Sequence, residues 1–228
     1  SLQLYFDFSG YSDMAIGLGL MMGLSLPINF DTPFFATSMI SFWKKWHITM
    51  TRFFMMYVYT PIALSISRKT INKSFHIYFI CSIFFPIMIT FFLSGLWHGA
   101  HWKFVVFGMI NAAGLIINYY LKEIKIFSIN KYFGWLCTMF LVMVSFIFFR
   151  SQDINQALSI LKIMFSHELF ILPQFLSEQA SYFQLPWRYL AFLSSGSYTI
   201  KFFMVIFLSI IFLVYVPDYA KKGIKFKQ

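Results

Sequence analysis

Polar residues in this chain fall in short clusters between long apolar runs, and several of those runs have the length of membrane helices. Residues 77–96, 104–121 and 133–149 each approach the roughly 20 apolar residues that cross a hydrocarbon core. Pro86 inside the first predicts a kink. A fourth run, 202–216, stops at Pro217 and is short unless it extends back toward Tyr198. The run 14–26, closed by Pro27, does not span alone. Asp7, Ser9, Gly10, Ser12 and Asp13 interrupt the apolar sequence ahead of it. Such a pattern predicts either a broken helix whose polar groups face protein or a wet cavity, or a helix start capped by Ser12 or Asp13.

Two stretches repeat at the helical period instead. Over 42–54 the residues advance as one amphipathic helix, with Lys45 and Arg52 on one face and Trp43, His47, Met50 and Phe54 on the other. Ile154, Leu158, Leu161 and Phe165 share a face behind Ser151 and Asp153, which predicts an interfacial helix over 154–165. The fold class is therefore all-α: a polytopic transmembrane bundle with short interfacial and broken helices. No repeat or linker divides it, so residues 1–228 read as a single membrane domain. The chain opens at Ser1 in what reads as the middle of a segment, and is expected to be the C-terminal part of a longer protein.

Composition sharpens this picture. Hydrophobic residues make up 59% and charged residues 11%, too little charge to coat a soluble globule. The net charge of +10 would suggest nucleic acid in a soluble chain, but the bases cluster between apolar runs and read as topology, so no nucleic-acid partner is expected. Arg68 to Lys73, Lys122 to Lys131 and the tail from Lys221 fall on alternate turns, hence on one side, the cytoplasmic one. The patch 94–102 and the excursion 150–201 then lie outward. Cys81 and Cys137 stand singly in apolar runs and read as packing residues. Gly17, Gly19 and Gly23 do not fit a dinucleotide fingerprint, having no strand ahead of them, and Gly19 to Gly23 reads as a GxxxG helix contact.

Candidate chemistry concentrates in Ser94-Gly95-Leu96-Trp97-His98-Gly99-Ala100-His101-Trp102, caught between two spans. An imidazole at that depth needs a partner or a cavity, and membrane chains that keep such groups use them. Gly95 and Gly99 would let backbone approach a substrate closely. His47, on an aromatic face, reads either as a satisfied structural residue or as a second functional histidine.

Three passages, Tyr5-Phe6-Asp7-Phe8-Ser9-Gly10-Tyr11-Ser12-Asp13, Phe42-Trp43-Lys44-Lys45-Trp46-His47-Ile48-Thr49 and Gly95-Leu96-Trp97-His98-Gly99-Ala100, carry a likeness in order and spacing. In them the chain resembles the C-terminal half of the membrane-bound O-acyltransferase family, in its bacterial branch of alginate and peptidoglycan O-acetylation proteins and teichoic-acid D-alanyl transferases. The resemblance implies His98 as catalytic histidine and His47 as a second one, with Asp7, Trp43, Trp46 and Trp97 around the substrate path. It implies no bound cofactor, and an acyl thioester (acetyl-CoA or an acyl-carrier protein) as donor from the cytoplasm. It also implies membrane lipid, an extracytoplasmic or membrane-tethered acyl acceptor protein and, finally, a polysaccharide as partners, in the multi-pass setting of a bacterial inner membrane. The chain departs from many relatives at Met55-Met56, where they carry Arg-Asp, and at Ala63-Leu64, where they carry Gly-Gly. Nothing carries over to His101.

The chemistry agrees: a thioester is already activated, and a desolvated, neutral imidazole suits removal of the acceptor's hydroxyl proton. Two other classes remain. His98 and His101, at i and i+3, could join His47 or Asp7 in a transition-metal site of a transporter, although Gly99 weakens the helix this spacing assumes. A non-catalytic export scaffold is the third. For topology, a cysteine at Asn72 or Asn130 is expected to react with an impermeant thiol reagent from the cytoplasmic side, and one at Gln174 from outside. Labelling of Asn72 and Gln174 from the same side would overturn the assignment.

Overall fold

The computed structural model describes residues 2–124 and 130–165; the expected run 202–216 and the basic tail lie outside them. All regular structure among the described residues is helical. The chain divides at Ile154 into two compact units, of which the second contributes residues 155–165. These residues belong to a helix over Ile154–Met164, one residue short of the expected 154–165.

In the first unit, α1 (Leu2–Met21) is followed by a 3₁₀ turn at Pro33–Phe35, α2 (Met39–Trp43) and α3 (Ile48–Phe54). Then come α4 (Thr60–Thr70), α5 (Phe75–Phe79), α6 (Phe85–His98), α7 (Trp102–Glu123) and α8 (Lys131–Arg150), with α9 the helix at Ile154. Among the described residues, three stretches are long and apolar enough to cross a membrane: Phe75–His98, Trp102–Glu123 and Lys131–Arg150. They contain the three runs read from the sequence, each extended at its ends by polar or aromatic residues that helical geometry accommodates.

Proline shapes two of the helices. Pro61 and Pro86 each stand at the second residue of an α-helix that follows a five-residue π-helical stretch, Met55–Tyr59 before α4 and Ile80–Phe84 before α6. A proline ring clashes with the carbonyl a turn earlier and brings no N–H to bond it, and a widened turn relieves both problems. Pro86 thus marks a change of helical register, with α5, the π stretch and α6 continuing as one span.

Two expectations fail here. The opening segment is one unbroken helix, α1, because Ser12 satisfies itself by donating from Oγ to the Phe8 carbonyl one turn back, at 2.9 Å. Neither Ser12 nor Asp13 caps a helix start, since both lie within α1. The Gly19 to Gly23 pair also does other work: Leu24 N–H donates to the Gly19 carbonyl and Gly23 N–H to that of Leu20, with Gly23 at φ 77°. This is a Schellman helix end, which needs the left-handed residue that glycine supplies.

The contact that fixes the bundle lies between α6 and α7. A Cβ on Gly95 would sit 2.5 Å from the Phe104 carbonyl oxygen, and one on Gly108 would run into the carbonyl oxygen of Phe91. The helices therefore touch backbone to backbone, as small residues permit in a membrane bundle. Gly95 accordingly serves helix packing, and its cleared space is filled by α7, not by substrate. Beside this contact, Phe79, Ile87, Ala112 and Ile116 form a buried cluster. On the other side, Met39 N–H donates to Asn118 Oδ1 at 2.6 Å, and Trp135 Nε1–H to the Phe34 carbonyl at 2.8 Å. These two bonds tie the 30–43 segment to α7 and α8.

Gly95→Ala and Gly108→Ala are each expected to lower stability by about 1–3 kcal/mol through overpacking. Gly10→Ala, with nothing within 4 Å of its added methyl, is expected to be neutral or slightly stabilising. Thermal unfolding of the purified variants in detergent measures the difference.

Candidate functional site

The expected single helix over 42–54 is split at His47. Ser38 caps α2 by accepting from Ser41 N–H at 3.1 Å, and α2 ends at Trp43. Lys45 and Trp46 N–H both close onto the Phe42 carbonyl. His47 then takes the left-handed conformation, φ 44° and ψ 55°, before α3 begins. Residues 29–31 dock against this break: Ile48 N–H donates to the Asn29 carbonyl and Asp31 N–H to the Lys45 carbonyl, each at 2.9 Å. A non-glycine residue in that conformation costs about 1–2 kcal/mol and persists only where surrounding bonds hold it. The face read from the sequence survives the break, since Trp43, Met50 and Phe54 are buried and Arg52 is exposed.

The His47 side chain is held as firmly as its backbone. Nδ1 lies 3.0 Å from Asn29 Oδ1, which also accepts from Thr49 N–H at 3.2 Å and Thr49 Oγ1–H at 2.9 Å. The ring of Phe8 meets the imidazole edge to face at 4.7 Å. Burial lowers the His47 pKa to about 4, with the neighbouring His98 a smaller cause in the same direction, so the ring is neutral at pH 7.

His98 is the last residue of α6, and Gly99, at φ 152°, ends the helix there. Its ring packs against Phe149 of α8 at 5.0 Å and Phe107 of α7 at 5.9 Å. His47 and His98, 51 positions apart in sequence, line one cavity of about 30 Å³. Trp43, Trp46 and Met50 share its wall with Leu4, Phe8, Phe107, Phe146 and Phe149, which leaves the two imidazoles as its only titratable groups among the described residues. A second cavity, of about 120 Å³, adjoins Thr90, Ser94, Thr51 and Tyr119. Trp43 lies in the walls of both cavities, and its indole N–H is buried without a partner among the described residues. Thr90, Ser94 and His98 follow one another at four-residue spacing on α6, the first two on the larger cavity and the third on the smaller.

Of the residues predicted from sequence, His98, His47, Trp43 and Trp46 meet at this cavity. Trp97 is exposed, with its ring 6.4 Å from His47. Asp7 is exposed on α1 and does not line the cavity. His101 is exposed beyond the end of α6, so it shares no helical face with His98. Among the described residues no group of three or more His, Cys, Asp or Glu gathers as a metal site would require. Asn29, Phe107 and Phe146 went unrecognised in the sequence. A lone asparagine after Pro27 carries no periodic signal, and the two phenylalanines are indistinguishable from others among 32.

A model of the membrane-bound O-acyltransferase family matches residues 1–150, a stretch that contains both histidines and every wall of their cavity. The chain belongs to that family. Among its membrane-bound O-acyltransferase relatives is the peptidoglycan O-acetyltransferase of Helicobacter pylori, 36% identical over 71% of this chain and 29% of that protein. The probable alginate O-acetylase AlgI of Azotobacter vinelandii is 34% identical over 88% of this chain and 38% of its own. The teichoic acid D-alanyltransferase of Streptococcus thermophilus is 32% identical over 57% of this chain and 30% of its own. The chain thus spans about a third of the length of these relatives. With its apolar helices, membership makes it a multi-pass membrane protein.

Proposed function

We propose that the chain carries the histidine-bearing part of a bacterial inner-membrane O-acyltransferase. In this reading an acyl group, most simply acetyl, passes from a cytoplasmic thioester to a hydroxyl acceptor and serves to modify an extracytoplasmic polysaccharide. The observation that carries the reading is the convergence of His47 and His98, from separate elements, on one cavity whose other walls cannot titrate. The named activities of the relatives support it: two are O-acetylating and one transfers D-alanine to teichoic acid.

The acceptor oxygen attacks the thioester carbonyl while its proton passes to the His98 imidazole. The tetrahedral intermediate then collapses with cleavage of the carbon–sulfur bond, and the departing thiolate takes the proton from the imidazolium. A positioned base of this kind contributes about 10²- to 10⁴-fold in rate. His47, beside it, holds substrate. Support for a path between the two sides comes from Trp43, common to both cavities, and from the Thr90, Ser94, His98 track. The basic turns at Arg68 to Lys73 and at Lys122 support an inward donor side by the positive-inside rule. Donor (acetyl-CoA or an acyl-carrier protein) and acceptor (a polymer-modifying partner outside or tethered to the membrane) complete the scheme.

Acyl transfer by the full-length protein, measured at matched membrane levels, tests it. His98→Ala is expected to lose about 10²-fold or more, His47→Ala about tenfold, and exposed His101→Ala little. Equal, severe losses at His98 and His101 would favour a metal site instead, and retained activity in His98→Ala would overturn the mechanism.

A further inference from the structure

We propose that Asn29 and Thr49 are positioning residues that fix His47 as its Nδ1–H tautomer, so that Nε2 offers a lone pair to the cavity and accepts a hydrogen bond from an O–H group of the acyl acceptor. The identity of that donor rests on the acyl-transfer reading, whereas the tautomer follows from the hydrogen bonds themselves.

The bonds form one chain whose direction is set at both ends by backbone groups, which cannot exchange roles. At one end Ser12 Oγ–H donates to the Phe8 carbonyl at 2.9 Å, so its lone pairs are free to accept from Asn29 Nδ2–H at 3.3 Å. At the other end Thr49 N–H, obligatorily a donor, points at the remaining Asn29 amide atom at 3.2 Å, which must therefore be oxygen. An amide flipped the other way would set N–H against N–H at Thr49, whose backbone N–H cannot accept. With oxygen fixed there, His47 Nδ1 at 3.0 Å carries the proton and donates it. The neutral ring then has a single unprotonated nitrogen, Nε2.

The backbone supports the same assignment. The left-handed turn at His47 and the bond from Ile48 N–H to the Asn29 carbonyl hold the two residues together twice over, once through main chain and once through side chains. A ring so held is an acceptor only. The reacting end of a thioester presents no donor; besides His98, the described walls of the cavity carry only the indole N–H groups of Trp43 and Trp46, and that of Trp43 bonds to no described residue, His47 included. What the acceptor alone brings is O–H. With the reacting hydroxyl directed to His98, His47 engages a neighbouring one, as a polysaccharide unit or glycerol provides.

Nitrogen-15 spectra of the full-length protein labelled at histidine, in nanodiscs, read the tautomer directly, with the His47 signal identified by its loss in His47→Gln. The unprotonated nitrogen is expected to couple to both carbon-bound ring protons, which marks it as Nε2. A protonated Nε2 in the wild-type chain overturns the proposal. Asn29→Ala should mix the tautomers, while Asn29→Asp, which still accepts from Nδ1–H, should keep the wild-type pattern; an unchanged tautomer in Asn29→Ala overturns the role of Asn29. Kinetics with acetyl-CoA and glycerol supply the second measure. Asn29→Ala should raise the KM for glycerol about tenfold while leaving that for acetyl-CoA unchanged, and Asn29→Asp should restore most of it. Equal effects on both KM values would reduce Asn29 to a structural residue. A wild-type protein without acyl transfer would overturn the functional reading, while the spectra would still decide the tautomer.

Discussion

Helices in hydrocarbon gain nothing by hiding apolar surface from one another, because lipid tails are as apolar as leucine, and must be held by close packing and hydrogen bonds. In this chain the closest packing is the backbone contact of α6 on α7 through Gly95 and Gly108. The placement of His98 follows from it. With Gly95 pressed on Phe104, the end of α6 one turn later has a fixed position against α7, and Phe107 and Phe149 close on the imidazole from two helices. A looser contact would leave the same residues present and the cavity unformed.

The spans were legible because apolar length is a property of sequence alone, and 77–96, 104–121 and 133–149 all lie inside observed helices. The helix at Ile154 was legible for a similar reason, its period being unbroken. What could not be read were features set by a partner distant in sequence. The 42–54 stretch has a continuous helical period, yet residues 29–31 compete for its backbone at 45–48 and win, which turns His47 left-handed. The opening segment looked broken because Asp7, Ser9, Gly10, Ser12 and Asp13 interrupt its apolar sequence, yet the carbonyl one turn back serves Ser12 and the helix runs on.

The site was legible in its chemistry and opaque in its geometry. Both histidines and the two tryptophans of the 42–47 motif were identifiable by type and motif, and they meet at one cavity. Asn29 was invisible because its importance lies in bonds to residues distant in sequence, among them three to residues eighteen and twenty positions away. Asp7, attractive as a charge within an apolar segment, is an exposed residue of α1. Charge at depth flags a region; which face of the helix carries it decides whether the region's chemistry includes it.

The aromatic lining of the small cavity has a further consequence. Under the proposed acyl transfer the ever-present competitor is water, since hydrolysis would waste a thioester donor. A water molecule lodged in a protein needs two to four polar neighbours to be held well, and the described walls of this cavity offer few beyond the two imidazoles and the indole N–H groups of Trp43 and Trp46. An alcohol carries its own apolar carbon to set against Phe8, Phe146 and Phe149, so the phenyl rings favour it over water at the point of attack. Under that proposal, the phenylalanines at these positions of the wall act as a filter on which nucleophile reaches the thioester.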